Sequence, residues 1–291
     1  MSGAIIRTAF AFCLLIVGAG TLLLGASPAH ALPSYARQTG QQCAACHNGF
    51  PELTPYGRLF KLNGYTFGGG QTDLPPVAAM LIPSFTHTQE GQPGGAAPHY
   101  GDNNNWTYTG SLFYGGAITS NIGAFAQATY DHTPRRFGWD NTDIRYANTT
   151  TLMGGETIFG VTLNNNPTIT DVWNSTPAFG FPFVSSGLAP TPAAKTLIEG
   201  SLAQQVAGAT AYAFWNRLVY LEAGGYHTLS VTAEKTLGTN TTGTSSNSGV
   251  MPYWRAAVEP KWGRHSLEVG TFGMAASLRP GRISGSGTDD I

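Results

Sequence analysis

From residue 77 onward the chain alternates apolar and polar side chains with a period of two, and that period limits its possible folds more than any other feature. The clearest run sets Trp106, Tyr108, Gly110, Leu112, Tyr114, Gly116 and Ile118 against Thr107, Thr109, Ser111 and Thr119. The period returns in Ile122, Ala124, Ala126, Ala128 and Tyr130 against Asn121, Gln127, Thr129 and Asp131. Ser120-Asn121 between them reads as a tight turn, so the two runs predict a β-hairpin. Further strands are expected over 77–89, 142–152, 155–165, 205–215, 217–232, 251–260 and 265–277, the last two joined at Gly263-Arg264-His265. Stretches 174–195 and 236–249, rich in Gly, Pro, Ser and Thr, read as long surface loops. Abundant Gly, Thr, Asn and aromatic residues with little Lys or Glu disfavour helices and suit such strands. A net charge of -1 gives no reason to invoke nucleic acid.

Alternation over segments of about ten residues, with Tyr and Trp toward strand ends, predicts an antiparallel β-barrel of the outer-membrane type. Lipid demands apolar side chains outside and a closed set of backbone hydrogen bonds, whereas a watery interior accepts Thr, Asn, Gln and charges. A soluble β-sandwich shares the period but buries its apolar face, and it is the competing architecture. The candidate strands number about nine or ten, and single-chain bacterial barrels close with an even count. The tail from Ile283 to Ile291 reads as a turn entering another strand. The expectation is therefore a barrel over 77–291, possibly an incomplete fragment truncated at its C-terminus.

Residues 1–31 combine Arg7, an apolar run from Ala9 to Leu24 and a small-residue exit at Ala29-His30-Ala31. That is the pattern of a secretory signal peptide with an A-x-A cleavage site, with a single membrane anchor as the alternative. Cys13 lies within the run and would leave with it, so the exported chain keeps Cys43 and Cys46. The pair could form a disulfide, a thioredoxin-like redox couple or half of a zinc site. The next residue weighs against all three. Cys43-Ala44-Ala45-Cys46-His47 is C-x-x-C-H, in which two thioethers fix a haem and the following imidazole reaches its iron. One covalent haem c is expected, with His47 as proximal ligand.

Thr54 as N-cap, Pro55 at the first helical position and Asn63-Gly64 as a stop predict a short helix. Tyr56, Leu59 and Phe60 share one of its faces and, with Phe50 and Leu53, are candidates for haem packing. In isolation such a stripe is ordinary core. A sixth iron ligand could be a Met thioether or a second His, or the position could stay open. Met80 is the first Met after His47 and the leading candidate, with His87 the alternative and His99 behind it.

The stretch from Pro33 through Cys43-Ala44-Ala45-Cys46-His47, continuing in Phe50-Pro51-Glu52-Leu53-Thr54-Pro55-Tyr56-Gly57-Arg58, Phe60-Lys61 and Gly64-Tyr65, resembles exported bacterial monohaem proteins of the cytochrome c type. It is also similar to fused cytochrome-porins, which join a small haem segment to an outer-membrane barrel. The resemblance is specific over 33–70 and architectural beyond. It implies Cys43, Cys46 and His47 as haem residues, a segment over 32–76, and electron transfer at the outer membrane or in the periplasm with a periplasmic or extracellular redox partner. A porin-like transport or scaffold barrel with a haem sensor or gate is the alternative. A haem peroxidase would need an open sixth position and distal acid/base groups, which the sequence does not display.

Overall fold

The computed structural model describes residues 32–49, 51–68, 74–91, 97–175, 186–188, 198, 202–239, 244–263, 265–283 and 289–290. The expected signal peptide, Phe50 and most of the loop expected over 174–195 lie outside the described residues. The protein is mainly β. Nine strands form one antiparallel sheet: β1 (Val77–Thr86), β2 (Asn105–Ala117), β3 (Ile122–Asp131), β4 (Arg136–Leu152), β5 (Gly155–Asn164), β6 (Val206–Trp215), β7 (Val219–Thr228), β8 (Met251–Val258) and β9 (Val269–Met274). Each strand pairs with its neighbours in sequence, so the order across the sheet is β9 to β1. No helix among the described residues is long and apolar enough to cross a membrane, which says nothing of strands.

Three boundaries differ from expectation for local reasons. β4 begins at Arg136 rather than 142, because the β3–β4 register shifts between Ala126 and Ala128 and breaks the period there. The segment expected to be a strand to 232 stops at Thr228. Val231–Leu237 is helical instead, with Ser230 Oγ accepting from Ala233 N and Gly238 closing it at φ 67°. The strand expected from 265 begins at Val269, since His265–Ser266 pairs with Lys261–Trp262 in a small ribbon.

The connections segregate by length. One end of the sheet has the short turns 118–121, 153–154 and 216–218; the other has the long connections 87–104, 165–205 and 229–250. At the tightest turn, Met153 and Gly154 both take positive φ (49° and 75°), the requirement of a two-residue type I′ hairpin.

The two faces of the sheet are inverted relative to a soluble domain. Along β5, Phe159, Val161 and Leu163 are exposed while Gly160, Thr162 and Asn164 are buried. Along β4, Ile144 and Tyr146 are exposed while Asp143 and Arg145 are both 0% accessible. β8 exposes Trp254 and Val258 and buries Arg255. Paired residues share a face, so Tyr146, Val161, Ala211, Ala223 and Trp254 make one uncharged row across the middle of the exposed side. The polar side is covered by residues 32–68 and by the start of the 165–205 connection. Between them lies a core of Leu62, Ile158, Val172, Trp173, Tyr212, Phe214, Tyr220 and Ala257.

Candidate cofactor-attachment site

Cys43–Cys46 makes a single helical turn, and His47 leaves it in an extended conformation, φ −123° and ψ 132°, its N–H capping the turn on Cys43 O. Both thiols are free and partly exposed. Burial pushes the Cys46 thiol above its ordinary range, with Cys43 adding to the effect. Reactive dithiols need the opposite shift, so the thioredoxin-like alternative loses support. Among the described residues no three His, Cys, Asp or Glu gather as a metal cluster, so a zinc half-site finds no second pair.

The turn is held from behind by a second helix, Pro55–Leu62, as expected from Thr54, Pro55 and Asn63. Thr54 works on both sides of the junction. Its Oγ1 accepts from Gly57 N at 3.2 Å and donates to Ala45 O at 2.5 Å, while its N–H donates to Cys46 O at 2.9 Å. Gly57 permits the close approach, because a Cβ there would sit 2.3 Å from Cys46 O. Gly57→Ala is expected to cost about 1–3 kcal/mol by overpacking and to lower the thermal midpoint. Gly49→Ala, facing open space, should leave the midpoint within experimental error. Equal melting of the two variants would show that the contact is not tight.

Around the turn the rings form a chain. Tyr56 meets Phe67 at 5.6 Å, Phe67 meets Phe60 at 5.3 Å, and Tyr35 packs on Phe60 at 4.9 Å and Tyr65 at 5.6 Å. Leu53 is buried, and its N–H donates to Trp173 O at 3.0 Å. Leu59, from the same predicted stripe, packs on the core against the sheet. The stripe thus divides: Tyr56 and Phe60 join the ring chain while Leu59 faces the sheet.

The segment is fastened to the polar face by buried charge. Arg58 Nη2 reaches Glu259 Oε1 at 2.6 Å, and Trp173 Nε1 donates to the other oxygen of that carboxylate at 2.9 Å. Lys61 Nζ donates to Asp171 O at 2.8 Å and Asn174 Oδ1 at 2.7 Å. Burial, with Arg145 nearby, pushes the Lys61 ammonium down to about 7. Tyr65 Oη donates to Asp143 Oδ2 at 2.5 Å, and Arg145 Nε donates to the same oxygen at 2.6 Å. Burial first, and then the Asp143 charge, holds the Tyr65 phenol well above its usual range. Tyr212 Oη donates to Leu62 O at 2.6 Å, Ala117 N to Gln38 Oε1 at 3.0 Å, and Arg37 Nη2 to Val77 O at 2.7 Å. Val77, Ala117 and Glu259 all lie at the short-turn end, so the segment sits there. Sequence reasoning missed these partners, since they join residues far apart in the chain.

The distal candidates separate along β1. Met80 pairs with Ser111 and so shares the polar face, near the short-turn end; it is 41% exposed. His87 follows the opposite, long-loop end, with its Nδ1 2.8 Å from Asn104 Oδ1. His99 lies beyond it, in that same long connection, with φ 74°. Comparison of the chain with known protein families, curated proteins and solved structures found no match.

Proposed function

We propose that this chain is an exported electron carrier of the outer membrane, holding one covalent haem c on Cys43 and Cys46 with His47 as proximal ligand, its sheet forming a barrel wall against lipid. The observation that carries the reading is a juxtaposition. A C-x-x-C-H turn with two free, partly exposed thiols is seated on the polar side of a sheet whose other side is apolar and exposed. Haem bound there would supply one-electron exchange between ferrous and ferric iron. The chain's own residues do the rest. Thr54 and Gly57 set the attachment turn, Tyr56, Phe60 and Phe67 give it an apolar flank, and Arg58, Lys61 and Tyr65 anchor it. Met80 remains the leading distal ligand, since it shares the polar face and the end of the sheet where the segment docks. Long connections at one end and short turns at the other are the usual asymmetry of outer-membrane barrels, and they support placing the segment on the periplasmic side.

Val161 separates lipid from water as the solvent of the apolar face. Val161→Arg is expected to cost about 2–4 kcal/mol in a bilayer, the penalty of a cation near its midplane, and to lower recovery in the outer-membrane fraction. A neutral effect, with the protein recovered soluble from the periplasm, would overturn the membrane reading. Haem staining after denaturing electrophoresis tests the cofactor separately. The docking of residues 32–68 across the polar face favours a second role as a gate, testable by comparing conductance with and without that segment.

A further inference from the structure

The side of the 32–68 segment that faces away from the sheet has an unusual electrostatic character for a redox entry point. The residues flanking the two cysteines, Gly40, Gln41, Gln42, Ala44, Asn48 and Gly49, are all exposed and all uncharged. Two charges border them. Arg37 is held with its Nη2 2.7 Å from Val77 O, and Glu52 accepts from Asn48 Nδ2 at 3.1 Å, so the pair is of opposite sign. The next cations along the chain, Arg58 and Lys61, are 6% and 5% exposed and turned to the sheet. Basic or acidic side chains cluster nowhere on this face among the described residues.

We infer that electrons enter through this neutral face and that the partner is a small redox protein whose own contact surface is uncharged. The inference rests on the electron-transfer reading above. Charge-steered redox pairs gain encounter rate from complementary patches, by factors of about 10 to 1,000 at low salt. A face whose two bordering charges cancel offers no such gain. A charged patch brought against it would lose water without meeting a counter-charge, so a charged partner is selected against. Short polar side chains suit a small, wet contact that releases its partner after each electron.

The test uses the full haem-loaded protein in an uncharged detergent. The reduced protein is mixed in stopped flow with ferricyanide, a trianion, or with hexaammineruthenium(III), a trication, each taking one electron, at ionic strengths from about 10 to 200 mM, where screening lengths run from about 30 to below 10 Å. Both rates are expected to change less than about twofold, the result for an entry point with no local charge. Gln42→Lys should make the ferricyanide rate fall about threefold or more with added salt, and the ruthenium rate rise. Steep, oppositely signed salt dependences in the wild type would overturn the inference by revealing a charged entry face. A flat response in Gln42→Lys would overturn it by placing the entry elsewhere. A chain that carries no covalent haem would defeat the electron-transfer reading itself, and is recognised before any kinetics by its missing haem band.

Discussion

Asp143→Ala should destabilise the protein by about 3–5 kcal/mol, because it leaves the Arg145 guanidinium buried without its counter-charge. Both side chains are fully inaccessible, and the carboxylate serves three donors at once: Arg145 Nε at 2.6 Å, Tyr65 Oη at 2.5 Å and Thr162 Oγ1 at 2.7 Å. Arg145 has little else to lean on. Its Nη2 reaches Thr170 O at 3.1 Å, its Nη1 has no hydrogen-bond partner, and its charge lies 5.8 Å from the Tyr65 ring and 5.4 Å from the Tyr212 ring. Domains are stable by about 5–15 kcal/mol, so the variant should melt far below the wild type or fail to fold. Because Tyr65 belongs to the haem-bearing segment, the loss should also loosen that segment, seen as faster proteolysis within 32–68. Arg217→Ala is the matched control. Its pair with Glu156, at 3.0 Å, has side chains about half exposed (53% and 48%), and breaking it should cost less than about 1 kcal/mol. Equal melting of the two variants would mean that Arg145 finds another partner and that the buried pair is not what fastens the segment.

Replacing Cys43 and Cys46 together by Ser should abolish covalent haem, and His47→Ala should leave any attached haem without its proximal ligand. The thioethers need sulfur, and a Ser hydroxyl at the same two positions forms no such bond. The measurement is the haem stain per mole of chain after denaturing electrophoresis, joined to the visible spectrum for His47→Ala. A stain that persists in the double Cys variant would refute the attachment site. The variant chain should still assemble its sheet, since neither thiol belongs to the buried core and the contacts of Arg58, Lys61 and Tyr65 are left in place. A sheet that collapses without haem would show instead that the segment orders only on loading.

The strands were legible because each announces itself locally. Trp106 to Ile118 alternates by the geometry of the pleat, and any sheet containing it must put Trp106, Tyr108 and Leu112 on one face. The helix at Pro55–Leu62 was legible for the same kind of reason, its cap, first residue and stop lying within ten positions of one another. The first helix, Pro33–Thr39, carried a similar signal in Pro33 and Gly40, whose φ is 67°, and should have been read from it. The bulge near Gln127 was not legible, since one extra residue shifts the period without leaving a mark of its own.

The charged contacts lay beyond sequence reasoning altogether. Arg58 and Glu259, Lys61 and Asp171, and Tyr65 and Asp143 are separated by 201, 110 and 78 positions, and no spacing rule relates them. What the sequence by itself determined was the alternation, the capped helix, and the C-x-x-C-H unit, all set by interactions within a few residues. Only the tertiary structure decided that the polar side of the sheet is buried, that residues 32–68 cover it, and that Asp143 and Arg145 lie between. The physical reason is that burying a charge is tolerable only beside its counter-charge, and which counter-charge is near depends on where the whole chain brings its strands together.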